Sequence, residues 1–297
     1  MSTMSEQELQ QFWRRQSEEF LDSDPSGWSV VCWTGMPTWL NALYHRAQRR
    51  ALERLVRNVP LRDKLVLDVG TGVGRWIPFY LARGAREVIG IDIEAKRLSL
   101  ASRRLPAGSC SLGLASAARL PFPDGTFDFV SSVAVLLHLD PASKESAIRE
   151  ICRITKPGGY VGILELIDMK TERPYVFPMP QEEWVSCFRE QGLEPVKLIG
   201  NEYFPLLRTA TALHRFAFGK SSREKRDSIR LGKADGPVKG PIAALLRLVT
   251  LMSYPAEALC EIAVPPRMAR ANGFLFVRKS AQMDRERKVQ VEGRRKQ

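Results

Sequence analysis

The stretch Leu65-Val66-Leu67-Asp68-Val69-Gly70-Thr71-Gly72-Val73-Gly74-Arg75-Trp76 decides the fold. A five-residue apolar run followed by glycines at 70, 72 and 74 reads as a buried strand, a tight turn and the start of a helix. Glycine is needed there because the turn is tight and a ligand must come close to the main chain. Beyond a helix over 75–83, EVIGI (87–91) forms the next strand, and Asp92 closes it. An acidic side chain at that place can accept hydrogen bonds from both hydroxyls of a ribose. It could equally cap the helix that starts near Ala95.

Outward from this centre the alternation continues. A helix covers 95–104, a strand lies near 111–115, and FDFVSSV (127–133) is another strand. The helix over 142–155 is stopped by Lys156-Pro157-Gly158-Gly159, and YVGILELI (160–167) follows as a fifth strand. A helix at 181–191, a strand at about 194–200 and a last strand from Phe274 to Lys279 complete the series. Strands alternating with helices imply an α/β, doubly wound, mostly parallel sheet with both faces covered. Upstream, residues 5–21 and the apolar series Leu40, Leu43, Tyr44, Ala47, Ala51, Leu55 read as two helices that pack on this domain. The segment 202–271 exceeds any ordinary connection and marks an inserted element.

The 297 residues carry a net charge of +12. Most of that surplus sits in KSSREKRDSIRLGK (220–233) and in the tail from Arg278 to Gln297. Neither stretch has an aromatic residue, so neither offers a stacking platform for single-stranded nucleic acid. They read as a solvated loop and a tail, with contact to an anionic surface such as phospholipid as the sharper alternative. The five cysteines form no C-x-x-C pair, so the sequence calls for no metal and no disulfide framework. With a polar start and no spanning segment, a cytoplasmic protein is expected, peripheral to a membrane if the run IAALLRLVTLM (242–252) touches one.

Five blocks in order, LDVGTGVG, VIGIDI, LPFPDGTFDFV (120–130), LLHL (136–139) and ICRITKPGGYVGILE (151–165), resemble the class I S-adenosylmethionine (SAM)-dependent methyltransferase family, methyltransferase type 11 in particular. The glycine spacing and the later blocks disfavour a nicotinamide enzyme. The resemblance implies a seven-stranded sheet with an antiparallel last strand and SAM across the strand ends. It assigns Gly70, Gly72 and Gly74 to the methionine and ribose, Asp92 to the ribose hydroxyls and Ile93 to the adenine. Asp68 would orient the glycine turn or the cofactor ammonium, and Arg75 would pair with the cofactor carboxylate or lie in solvent. The family usually has an acidic residue where this chain has Ser116; the serine and the Ala117 N–H would face the adenine instead. Val133, at the end of strand four, completes the cofactor set.

Methyl transfer from a sulfonium needs alignment, exclusion of water and, for a hydroxyl or ammonium acceptor, removal of a proton. His138, just past strand four, is the candidate base, with a structural role in its turn as the alternative. Glu165 and Asp168 close strand five and point to the same pocket, each otherwise a cap; His45 and His214 are further histidines that could face it.

The domain reading is an N-terminal helical cap (1–60), a SAM-binding core (61–201), an insertion walling the acceptor pocket (202–271), the last strand (272–280) and a basic tail (281–297). The expected function is methyl transfer to oxygen or nitrogen on a small molecule or glycan, lipid-linked sugars included. An RNA or protein methyltransferase and a non-catalytic partner subunit are the alternatives. The oligomeric state is not legible.

Overall fold

The computed structural model describes residues 6–20, 27, 32, 38–169, 175–203 and 241–280. In chain order the elements are α1 (Glu6–Phe20), α2 (Thr38–Leu55), β1 (Leu65–Val69), α3 (Ile77–Leu81), β2 (Glu87–Asp92), α4 (Ala95–Arg104) and β3 (Ser111–Leu114). Then follow β4 (Phe127–Val133), a 3-10 turn (Leu136–His138), α5 (Pro141–Ile154), β5 (Thr155–Leu166), α6 (Gln181–Glu190), β6 (Leu193–Asn201), α7 (Pro241–Ala263), a second 3-10 turn (Pro266–Met268) and β7 (Ala271–Arg278).

One seven-stranded sheet runs in the order β3-β2-β1-β4-β5-β7-β6. The pairs β1–β2, β1–β4, β2–β3 and β4–β5 are parallel, while β7 is antiparallel to both β5 and β6. Because side chains alternate along a strand, neighbours in β1 feed opposite cores. Leu67 and Val69 pack with Ile148, Ile151, Trp184 and Phe188 of α5 and α6. Val66 packs with Ala51, Leu52, Leu55, Ile77 and Tyr80 of α2 and α3. The sheet is thus a filling between two helical layers, as the alternating pattern predicts. A third cluster places Leu9 and Phe12 of α1 against Leu137, Leu166, Tyr175 and Val176, beyond the carboxyl ends of the strands.

Four boundaries differ from the sequence reading. The helix after the glycine turn is short, beginning at Ile77 with Pro78 in its first turn, because Val73 to Trp76 are still in turns. β5 starts at Thr155, so Lys156-Pro157-Gly158-Gly159 lies inside a strand; the irregularity is absorbed as a register shift against Phe127 and Phe129. β7 starts at Ala271, where it pairs with Asn201 and Leu166.

The fourth lies in the inserted segment, where α7 runs from Pro241 to Ala263 with Pro255 inside it, well beyond the apolar run 242–252. Proline removes one i→i−4 donor, and this 23-residue helix tolerates the loss and ends at Ala263, just before Val264-Pro265-Pro266. α7 is fixed to α2 by Glu261, which accepts from Arg50 (3.0 Å) and Arg54 (3.1 Å), and Glu257 accepts the Tyr203 N–H at 2.8 Å. No described helix is long and apolar enough to cross a membrane. The basic stretch 220–233, His214 and the tail 281–297 lie outside the described residues.

Candidate functional site

Between β1 and β4 the strand order reverses direction, and a crevice opens past the carboxyl ends of the strands there. A cavity at this edge is lined by the residues that end the strands: Gly70, Asp92, Ala115, Val133, Glu165 and Asn201. α1 contributes Leu9 and Trp13 and α2 contributes Tyr44 and Gln48, so the N-terminal helices form part of its wall.

The glycine turn is held from three sides. Gly70, Gly72 and Gly74 have φ of 68°, 58° and 75°, in the left-handed region that favours glycine. A Cβ on Gly70 would lie 2.4 Å from Val135 Cγ2, and one on Gly74 2.8 Å from Leu105 Cδ1. Asp68 is buried and accepts the Thr71 hydroxyl at 2.7 Å; burial pushes its carboxyl up to about 7. Asp92 accepts the Gly72 N–H through Oδ2 (2.8 Å) and the Glu94 N–H through Oδ1 (2.9 Å). The side chain that caps α4 is therefore Glu94, which accepts from Lys96 N, and not Asp92.

Of the expected cofactor set, Gly70, Gly72, Arg75, Asp92, Ile93, Ser116, Ala117 and Val133 line the cavity together. Asp68 and Gly74 are not on its wall; they support the turn from behind. Ser116 Oγ accepts the Ala118 N–H at 3.2 Å, shaping the loop after β3. Arg75 donates to Cys32 Sγ at 3.4 Å and lies over the Trp76 ring at 4.5 Å, so it faces the cavity from a packed position and not from solvent. An apolar wall of Ile93, Ala117 and Val133, a carboxylate at the β2 end and a close-approach glycine turn fit an adenosyl group with a polar tail.

His138 and Glu165 are joined by one turn. Glu165 Oε1 accepts the N–H groups of Val135 (3.2 Å) and Leu136 (3.0 Å), and Oε2 accepts that of Leu137 (3.1 Å). Burial nevertheless pushes this carboxyl up to about 7. His138 follows immediately, with Nδ1 2.8 Å from the Tyr175 carbonyl oxygen. A carbonyl only accepts, so Nδ1 carries the proton and Nε2 is the basic nitrogen. The ring stands edge-on to Trp13 at 4.7 Å, beside Tyr175 on the cavity wall.

Asp168 is not on that wall; its N–H donates to the Arg270 carbonyl at 3.1 Å. His45 also lies off it, stacked on Trp76 at 5.0 Å, and burial beside Arg75 lowers its pKa to about 4.

Sequence reasoning missed the far wall of the cavity. There Glu202, at φ 62°, pairs with Arg270 at 3.0 Å and accepts from Gln48 Nε2 at 3.4 Å, with Tyr44 and Asn201 alongside. The signal available was the polar pair Asn201-Glu202 at the exit of strand six, on the face where the insertion begins.

Residues 67–163 match the family model described as a methyltransferase domain. A ubiquinone biosynthesis O-methyltransferase of Ralstonia nicotianae is 32% identical over 189 residues, 54% of this chain and 76% of that protein. The chain belongs to the class I SAM-dependent methyltransferase family. An uncharacterized methyltransferase of Schizosaccharomyces pombe is 41% identical over 109 residues, and the match spans 32% of this methyltransferase and 37% of that relative. The crystal structure of the cyclase SpnF shares the fold, with a TM-score of 0.52 at 21% identity over 79% of this chain and 81% of that one. The family-model match covers the glycine turn and β1 to β5, and the walls built by α1, α2, Asn201-Glu202 and Arg270 lie outside residues 67–163.

Proposed function

We propose that this methyltransferase acts on an oxygen or nitrogen of a small molecule or glycan. The observation that carries the reading is the cavity itself: the glycine turn and Asp92 line it together with the aromatic wall of Trp13, His138 and Tyr175. Such walls suit a compact acceptor that is enclosed and dried, and methyl transfer gains most of its rate from that positioning. The O-methyltransferase name of the Ralstonia relative points the same way.

Gly70, Gly72, Asp92, Ile93, Ala117 and Val133 would hold SAM, with Arg75 at its carboxylate end. When bound, SAM supplies a methyl group on a sulfonium. The chain orients the acceptor and exchanges its proton: His138 Nε2 takes the hydroxyl or ammonium proton, and the Tyr175 carbonyl steadies the imidazolium through Nδ1–H. Glu165 acts by fixing the turn that carries His138. The test is mass-spectrometric detection of a methylated product when the full chain is incubated with SAM and a panel of hydroxylated and amino acceptors. Methylation confined to RNA or protein substrates would replace this reading with the macromolecular one.

A lipid-linked acceptor has support of its own. Leu248, Leu251, Met252, Leu259 and Ile262 of α7 are each more than half exposed. At 100° per residue they fall within roughly 100° of arc, one apolar stripe on the outer face. The basic run 220–233 precedes the same helix in sequence. An apolar stripe preceded in sequence by clustered lysines and arginines fits the surface of an anionic bilayer.

A further inference from the structure

The far wall of the cavity holds polar groups that the protein itself does not use. Asn201 is 1% exposed, yet among the described residues neither its Nδ2 nor its Oδ1 has a hydrogen-bond partner. Gln48 is equally buried, and its Oε1 is also without one. Both side chains line the cavity that contains the glycine turn. A buried polar atom without a partner costs stability, and native proteins keep few of them without a task.

The surroundings say what would satisfy these atoms. Gln48 donates its amide N–H to Glu202 Oε1 (3.4 Å), which identifies Oε1 as the acceptor left over. Glu202 is engaged on its other side by Arg270 Nη1 at 3.0 Å, and Arg270 N donates to the Glu202 carbonyl at 3.2 Å. The ion pair cancels the local charge, so the site favours a neutral ligand. Glu202 sits at φ 62°, a region that residues with side chains seldom occupy, and such backbone clusters at functional sites. Asn201 presents donors and an acceptor, and Gln48 presents an acceptor. A ligand must therefore bring at least one acceptor and two donors, which a pair of neighbouring hydroxyl groups does and a lone hydroxyl does not.

We infer that Asn201 and Gln48 form a recognition subsite for a neutral vicinal diol on the methyl acceptor. The inference deepens the proposed function and rests on its premise that the acceptor enters this cavity. A sugar ring and a catechol both carry the required chemistry. The subsite sets specificity; it takes no part in proton transfer.

The experiment uses the full chain with SAM and two matched probe pairs: catechol against phenol, and a methyl glucoside against its monodeoxy counterpart. Binding is followed by saturation-transfer NMR, and SAM affinity by calorimetry. In the wild type one diol binds about tenfold or more tightly than its single-hydroxyl partner. Which pair shows the effect identifies the sugar or the aromatic source. Asn201→Leu should erase that preference, leave SAM affinity within about twofold and raise Tm, since an unpartnered buried amide is replaced by an apolar side chain of similar size. Gln48→Leu should weaken the preference in the same way.

A wild type that binds SAM but prefers neither diol would overturn the inference. So would an Asn201→Leu variant that keeps the preference, or one that binds SAM normally while its Tm falls. A wild type that does not bind SAM refutes the cofactor reading instead, and the two failures are thereby told apart.

Discussion

Asp92 Oδ2 accepts the Gly72 N–H at 2.8 Å, and this bond ties the end of β2 to the turn that follows β1. The same carboxylate holds the Glu94 N–H. One side chain thus shapes both the glycine turn and the entry to α4.

Asp92→Ala should therefore do two things. It should abolish SAM binding in calorimetric titration, and it should cost about 1–3 kcal/mol of stability, because two buried N–H groups lose their acceptor. Urea denaturation measures the second effect. Unchanged SAM affinity in Asp92→Ala would remove the residue from the cofactor site.

Gly70→Ala is expected to be among the most damaging small changes. The new Cβ meets Val135 Cγ2 at 2.4 Å and must sit at φ 68°. Overpacking contributes about 1–3 kcal/mol and the left-handed backbone about 1–2 kcal/mol. Adding Val135→Ala should recover the overpacking part and leave the backbone part. A double variant no more stable than Gly70→Ala would show that the clash is not what costs stability.

Glu165 links pH to folding. Its pKa is raised by burial from 4.5 to about 7, so the folded state holds the proton more tightly than the unfolded chain does. The associated stability is present below about pH 4.5 and lost as pH rises through about 7, on the order of 3 kcal/mol in all. Glu165→Gln cannot titrate and satisfies fewer of the three N–H groups, so it should be less stable than the wild type at pH 5, with the gap narrowing by pH 8. Denaturation midpoints of both proteins across that range check the sign.

His138→Gln should lower kcat by about a hundredfold or more with SAM affinity unchanged, as loss of a general base does. A purely structural histidine would instead show its effect in stability, with kcat per folded molecule preserved.

Leu251→Ser combined with Leu259→Ser should reduce co-sedimentation with phosphatidylglycerol-containing vesicles, and added salt should reduce wild-type binding as well. Equal recovery of both proteins with vesicles would leave the stripe on α7 without a membrane role.

The cofactor side was legible because it is local. Strand, glycine turn and Asp92 lie within 28 consecutive residues, Leu65 to Asp92, and each obeys a backbone rule readable from residue type. The far wall of the cavity was not, because Gln48, Glu202 and Arg270 meet across 154 and 68 positions of sequence. No periodicity links them; only the sheet order does. Asp168 was placed from sequence at the close of strand five; it follows the end of β5 by two residues, and where such residues go depends on what they pair with, here the Arg270 carbonyl. Pro255 shows that a helix breaker in sequence is a local cost, which a long, anchored helix absorbs.

The place of β7 bears on how the chain is made. It is the last described strand, yet it lies between β5 and β6 and pairs with both along nearly its full length. During synthesis β5 and β6 emerge before their shared partner, so the edge of β5 and the inner edge of β6 stay unpaired until β7 has been made. Open edges recruit other chains. A nascent or C-terminally clipped molecule that stops before Ala271 therefore exposes two more strand edges than the finished sheet does.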